Sequence, residues 1–295
     1  MTNDKCQMGP GLDAGPLDYL PATAIAPNPD NPPWGVPHAL VVWAISVALL
    51  LVVPLITIAP YLVYRIAVHG PIDNFATDPN VIFVSILGVF PTHILSALVV
   101  WFVVTNRGRR PFWQTLGWKW PSKFAPPLGP LLIVLLAILF FGIGYTITWL
   151  VGGSETQLDL IIKSSYKARF ATALLAAITG PFVEELIYRG VLYSALQRVL
   201  GALWAIVAVS TLFTGVHVLQ YYNNLGVIAV IALLSIALTL LRAGTGSLLP
   251  SYVMHLVFNG IQALFLVLQP FLGPSAGGPE AAPGVLIGRL WRLLT

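Results

Sequence analysis

The sequence predicts an all-α protein, a polytopic transmembrane bundle of seven to eight helices, and three observations carry that prediction. The chain is 57% apolar and only 9% charged, whereas soluble domains devote about a quarter of their residues to charge. Its apolar residues gather in runs of about 20 or more, the length a helix needs to cross the hydrocarbon of a bilayer. Its basic residues sit mainly in the short connections between those runs, as membrane orientation demands.

The runs can be taken in order. Residues 39–64 contain no Asp, Glu, Lys or Arg and form the first predicted span, with a bend expected at Pro54. Residues 81–105 form the second, with Pro91 and His93 inside it, and residues 128–151 the third. Residues 170–200 are compound: an apolar half, a Gly180-Pro181 break, then a half carrying Glu184, Glu185, Arg189 and Arg198. Proline removes a helical hydrogen bond, so a kink or helix restart is expected at Pro181. Residues 202–221, 225–241 and 247–269 supply three more spans. The total is seven, or eight if the compound run or residues 285–294 cross once more. With Arg289 and Arg292 among Leu and Trp, that last stretch reads as an interfacial helix.

Around this bundle, residues 1–37 read as a disordered tail rich in Pro and Gly, residues 38–270 as the bundle, and residues 271–295 as a second tail. The first apolar run starts too far in for a cleaved signal peptide, so the N-terminus is expected to be retained. One cysteine, Cys6, excludes a disulfide framework and a multi-Cys metal site. The net charge of +4 points to membrane orientation rather than to nucleic acid. Arg107, Arg109, Arg110, Lys119 and Lys123 share the second loop with no acidic residue, which predicts a cytoplasmic loop and a cytoplasmic N-terminus. Trp113, Trp118 and Trp120 in the same loop suit the headgroup region. Lys163, Lys167 and Arg169 in the third loop run against this orientation, partly offset by Glu155 and Asp159.

Charges inside the spans need a reason. One at a helix centre costs about 2.5–3.5 kcal/mol, so Glu184, Glu185 and Arg189 together would cost roughly 8–10 kcal/mol if uncompensated. Glu185 and Arg189 stand four residues apart and can pair on one helix face. Glu184 points about 100° away and requires a partner on another helix. His217 and His255 lie in two later spans, and Asn259 shares a face with His255. Phe213, one turn before His217, reads as packing, and His93 as a hydrogen bonder between helices. A carboxylate, two imidazoles and an amide on three helices suit hydrolysis: a base takes a proton from water while polar donors hold the oxyanion. Two His and a Glu also suit an open zinc site, with His217 and His255 as ligands, although the contiguous His-Glu-x-x-His pattern is missing.

The ordered set Glu184-Glu185-x-x-x-Arg189, Phe213-x-x-x-His217 and His255-x-x-x-Asn259 resembles the CPBP family of intramembrane proteases. That family includes the type 2 CAAX prenyl proteases and bacterial proteins linked to bacteriocin processing and self-immunity. The likeness covers about residues 170–269. It implies that Glu184 activates water with help from His217, that His255 and Asn259 hold the scissile carbonyl and its oxyanion, and that Glu185 with Arg189 orients the first site helix. It leaves open whether zinc or the glutamate alone drives the reaction. The expected substrate is a membrane-associated or lipid-modified peptide, the expected setting the lipid bilayer of a bacterial plasma membrane. The alternatives are a non-enzymatic scaffold or immunity protein of the same family, and a transporter with a proton-relay Glu and His pair.

Overall fold

In the computed structural model, the described residues are 29–70, 74–75 and 77–269. The chain is helical along almost all of that length. The first crossing, α1 (Val36–His69), runs unbroken through Pro54 and Pro60, so the expected bend at Pro54 does not interrupt it. The second crossing is α2 (Pro79–Leu87) and α3 (Val89–Val104), joined at Gly88. Asp78 starts it by accepting from the backbone of Asn80 and Val81, the usual role of an N-cap carboxylate. Gly88 lies directly against α1, where a Cβ would stand 2.7 Å from the Pro54 Cα. Crossings that approach so closely need a residue without a side chain.

After a short loop helix, α4 (Phe112–Leu116), comes the third crossing, α5 (Leu128–Val151). The short amphipathic helix α6 (Gln157–Ser164) begins in a capping box, in which Thr156 and Asp159 satisfy each other's backbone.

The compound run and the run after it form one continuous helical segment, Tyr166–Tyr221, of 56 residues. At 1.5 Å per residue this would be about 84 Å long, far more than one crossing. It turns at Gly201, whose φ of 75° and ψ of 165° are non-helical, a conformation open to glycine. Among the described residues, six helical runs are long and apolar enough to span a membrane, and one of them folds back on itself, which agrees with seven crossings. The Gly180-Pro181 break takes a specific form. Helix α7 (Tyr166–Leu174) passes into a π-helical turn at Leu175–Thr179, a short α8 (Gly180–Glu184), and a second π segment at Glu185–Leu192 before α9 (Tyr193–Tyr221). The first π turn fits the missing N–H of Pro181, because the ladder must be rewired there. The bundle closes with α10 (Leu225–Thr245) and α11 (Leu249–Leu268).

Sidedness is that of a protein dissolved in lipid. Leu51, Leu55, Ile56 and Val63 on α1, and Leu135, Leu139 and Trp149 on α5, face outward, while Glu185, Arg189, Arg242 and His255 are buried. The main core packs Val183, Leu186, Ile187, Val191 and Leu192 of the site helix against Val42, Val100, Val209 and Phe213.

Of the expected disordered tail, residues 1–28 lie outside the described residues, but the last part is docked. Asp30 receives a 2.8 Å bond from the buried Arg242, and the Pro29 carbonyl a 3.0 Å bond from the same guanidinium. Arg198 donates to the Pro32 carbonyl at 2.7 Å, and the Trp34 indole to the Val191 carbonyl at 3.1 Å. A buried guanidinium needs acceptors, and the segment just before α1 provides them. The stretch 285–294 lies outside the described residues.

Candidate active site

The site is built around the π segment that follows α8. A π turn widens the helix and leaves backbone carbonyls for other partners. Here those partners are the Trp34 indole at Val191, and the Ser194 hydroxyl, which donates to the Gly190 carbonyl at 2.6 Å. The end of α8 and this segment present Glu184, Glu185 and Arg189 to the interior of the bundle.

Arg189 is completely buried and fully engaged. Its guanidinium donates to Glu185 at 3.0 Å, to the Thr239 hydroxyl at 3.2 Å, and to the Ser235 carbonyl and hydroxyl at 3.0 and 2.8 Å. The Phe213 ring lies 4.7 Å from its Cζ, a cation–π contact. Thr239 in turn donates to the Ser235 carbonyl at 2.7 Å. The expected ion pair between Glu185 and Arg189 is present in the structure, within a larger network that α10 completes.

His255, from α11, stands between the two glutamates. Its Nδ1 is 3.0 Å from Glu185 Oε1 and its Nε2 is 3.6 Å from Glu184 Oε2. A carboxylate only accepts, so Nδ1 carries the hydrogen and donates to Glu185. The other face of the ring is thereby turned to Glu184, which is the interhelical partner Glu184 was expected to need. The side chain of Glu184 is 28% exposed, whereas that of Glu185 is fully buried. One carboxylate therefore reaches the protein surface and the other does not.

His217 donates Nδ1 to the Phe213 carbonyl at 2.7 Å, which fixes the tautomer and leaves Nε2 as the lone-pair nitrogen. The Phe213 ring links the imidazoles, with its centroid 4.8 Å from that of His217 and 6.0 Å from that of His255. Phe213 is thus packing, as read from the sequence, and what it packs is the polar site. Asn259 donates Nδ2 to the Ala176 carbonyl at 3.0 Å, tying α11 to the first π turn. His93 pairs Nδ1 with the Thr179 hydroxyl at 2.8 Å, the interhelical bond expected of it.

His255 is close to the start of α11, six residues into it, about 9 Å of helix rise. At that end Leu248 donates to the Gly117 carbonyl, and Trp118 packs on both Tyr252 and Phe182 at 4.9 and 5.8 Å. The second loop therefore packs against the start of α11.

Sequence reasoning missed the second contact of His255, the π segments, and Ser235 and Thr239. Those last two stand four residues apart in an otherwise apolar span, the spacing of one helix face, and that was the available signal. The zinc expectation finds no assembled donor set: no three His, Cys, Asp or Glu side chains gather as a metal-holding group among the described residues. Both nitrogens of His255 face carboxylates.

Fold and site together define a polytopic membrane protein with a buried carboxylate–imidazole center and one partly exposed glutamate. Residues 167–261 match the family model described as type II CAAX prenyl endopeptidase Rce1-like. That region contains α8, both π segments and every residue of the three motifs. The match bears out the resemblance to the CPBP group of CAAX proteases and supports intramembrane proteolysis as the general activity of the region. No curated protein and no solved structure matches the chain at a significant level.

Proposed function

We propose that this chain is an intramembrane endopeptidase in which Glu184 activates the attacking water, acting on membrane-associated or lipid-modified peptides. The observation that carries the reading is the asymmetry of the glutamate pair. Glu184 is partly exposed and opposite the His255 Nε2, while Glu185 is fully buried and bonded to the other nitrogen of the same ring and to Arg189.

In this mechanism Glu184 takes a proton from water, and the resulting hydroxide adds to the scissile carbonyl carbon. His217, with Nε2 free of protein partners in the tautomer its Nδ1 bond imposes, assists the water. His255 is oriented by Glu185 as an imidazole is oriented by a carboxylate in hydrolytic triads, with its Nε2 turned toward Glu184. As the C–N bond breaks, the proton held at Glu184 passes to the leaving amine. Asn259 keeps one amide hydrogen beyond its bond to Ala176 and offers it to the oxyanion.

The test is reconstitution. Protein in liposomes is incubated with a library of membrane-inserted peptides, and products are read by mass spectrometry in water enriched in heavy oxygen. Proteolysis predicts new carboxyl termini carrying the label. Intact peptides throughout would favor the scaffold or immunity reading.

A further inference from the structure

We propose that His93 is a positioning residue for Glu184, holding through Thr179 the π turn from which the site helix starts. The proposal rests on the reading of Glu184 as the reactive carboxylate and adds a residue from a helix outside the matched region 167–261.

The first π turn, Leu175–Thr179, stands immediately before Gly180-Pro181 and five residues before Glu184. Pro181 brings no N–H to the helical ladder, so this turn has fewer internal ties than an ordinary one. It is fastened from two sides instead. Asn259 of α11 donates to the Ala176 carbonyl at 3.0 Å, and His93 of α3 meets the Thr179 hydroxyl at 2.8 Å. Both fastenings are side chains of neighboring helices, so the position of the turn is set by tertiary structure.

The geometry of Glu184 shows what that position controls. A Cβ added to Gly180 would stand 3.0 Å from the Leu175 carbonyl oxygen and 3.8 Å from Glu184 Oε1. The Glu184 side chain thus folds back over Gly180, next to the Thr179 that His93 holds, while Oε2 is directed at His255 Nε2. One oxygen addresses the imidazole and the other lies over the fastened turn. If the turn shifts, Oε1 shifts with it, and the water that Glu184 is to activate loses its place. A misplacement of about 1 Å in a reacting group costs on the order of 10²-fold in rate.

The experiment compares His93→Leu, Thr179→Val, the double variant and His93→Gln, all as full chains in detergent or liposomes, with thermal unfolding as the control for folding. The expected result is a fall in kcat of about 10²-fold for either single variant with KM little changed. The double variant should be no worse than the singles, because both remove the same bond. His93→Gln should recover most of the loss, since an amide can still reach the Thr179 hydroxyl. Thr179→Ser, which keeps the hydroxyl, carries the same test should His93→Leu fail to fold. A second readout does not need turnover: the infrared carboxylate band assigned to Glu184 by its loss in Glu184→Gln should shift in His93→Leu and Thr179→Val and return in His93→Gln. Native kcat and an unshifted band in well-folded His93→Leu would overturn the proposal. So would a His93→Gln protein as slow as His93→Leu, which would make the imidazole a proton carrier. If the native protein cleaves no peptide while the band shifts as described, the proteolytic reading fails and the positioning role stands.

Discussion

Replacing Arg189 by Ala tests the network beneath the site. The side chain is fully buried and makes four polar contacts between 2.8 and 3.2 Å. Its loss strands the fully buried Glu185 carboxylate. Breaking one side of a buried ion pair costs roughly 3–5 kcal/mol. The Ser235 and Thr239 oxygens left without their donor, and the space vacated beneath Phe213, push the result toward the top of that range. Against a total stability of about 5–15 kcal/mol this is a large fraction, so the variant should be scarce in membranes and unfold well below the native temperature. The double replacement Glu185→Leu/Arg189→Met removes both charges and should recover part of the loss, since apolar residues often substitute for buried pairs without penalty. Recovery stays incomplete because His255 Nδ1 then loses its acceptor, at about 1–3 kcal/mol. The assays are abundance in isolated membranes and thermal unfolding in detergent. An Arg189→Ala protein of native abundance and unfolding temperature that cleaves nothing would refute this reasoning and make Arg189 a participant in the chemistry.

Three further outcomes follow from the same structure. In a Cys6→Ser background, a cysteine at Ser122, an exposed loop position, should react with an impermeant thiol reagent only after cells are opened; labeling from outside would reverse the orientation. Gly88→Leu should destabilize the junction of α2 and α3 by several kcal/mol, because its side chain meets the Pro54 backbone, and an unchanged unfolding temperature would show that α1 yields there. Strong chelators should leave peptide cleavage unchanged if Glu184 works alone, whereas loss of metal and activity together would establish a zinc enzyme.

The spans could be read from the sequence because lipid forces a simple pattern: continuous apolar residues outside, and charges only where partners wait. Glu185 and Arg189 were paired by their spacing alone. The form of the break at Pro181 was not readable. A proline announces that a bond is missing, and whether the helix kinks, restarts or widens into π turns depends on neighbors such as Asn259 and His93. His255 between two glutamates was out of reach for the same reason, since residues 70 positions apart in sequence meet only through packing. The docking of Asp30 on Arg242 was hidden because the segment before α1 has the composition of a loose tail, and its order comes from a buried guanidinium more than 200 residues away.

Glu184→Gln is the measurement on which the account turns. The amide keeps the size of the side chain and its ability to bond His255, but it cannot take a proton from water. Peptide cleavage in liposomes should fall by about 10²–10⁴-fold with abundance and unfolding temperature unchanged, whereas Glu185→Gln should chiefly lower stability. Glu184→Gln protein that is abundant, folded and still cleaves peptide at the native rate would contradict the assignment of Glu184 as the base.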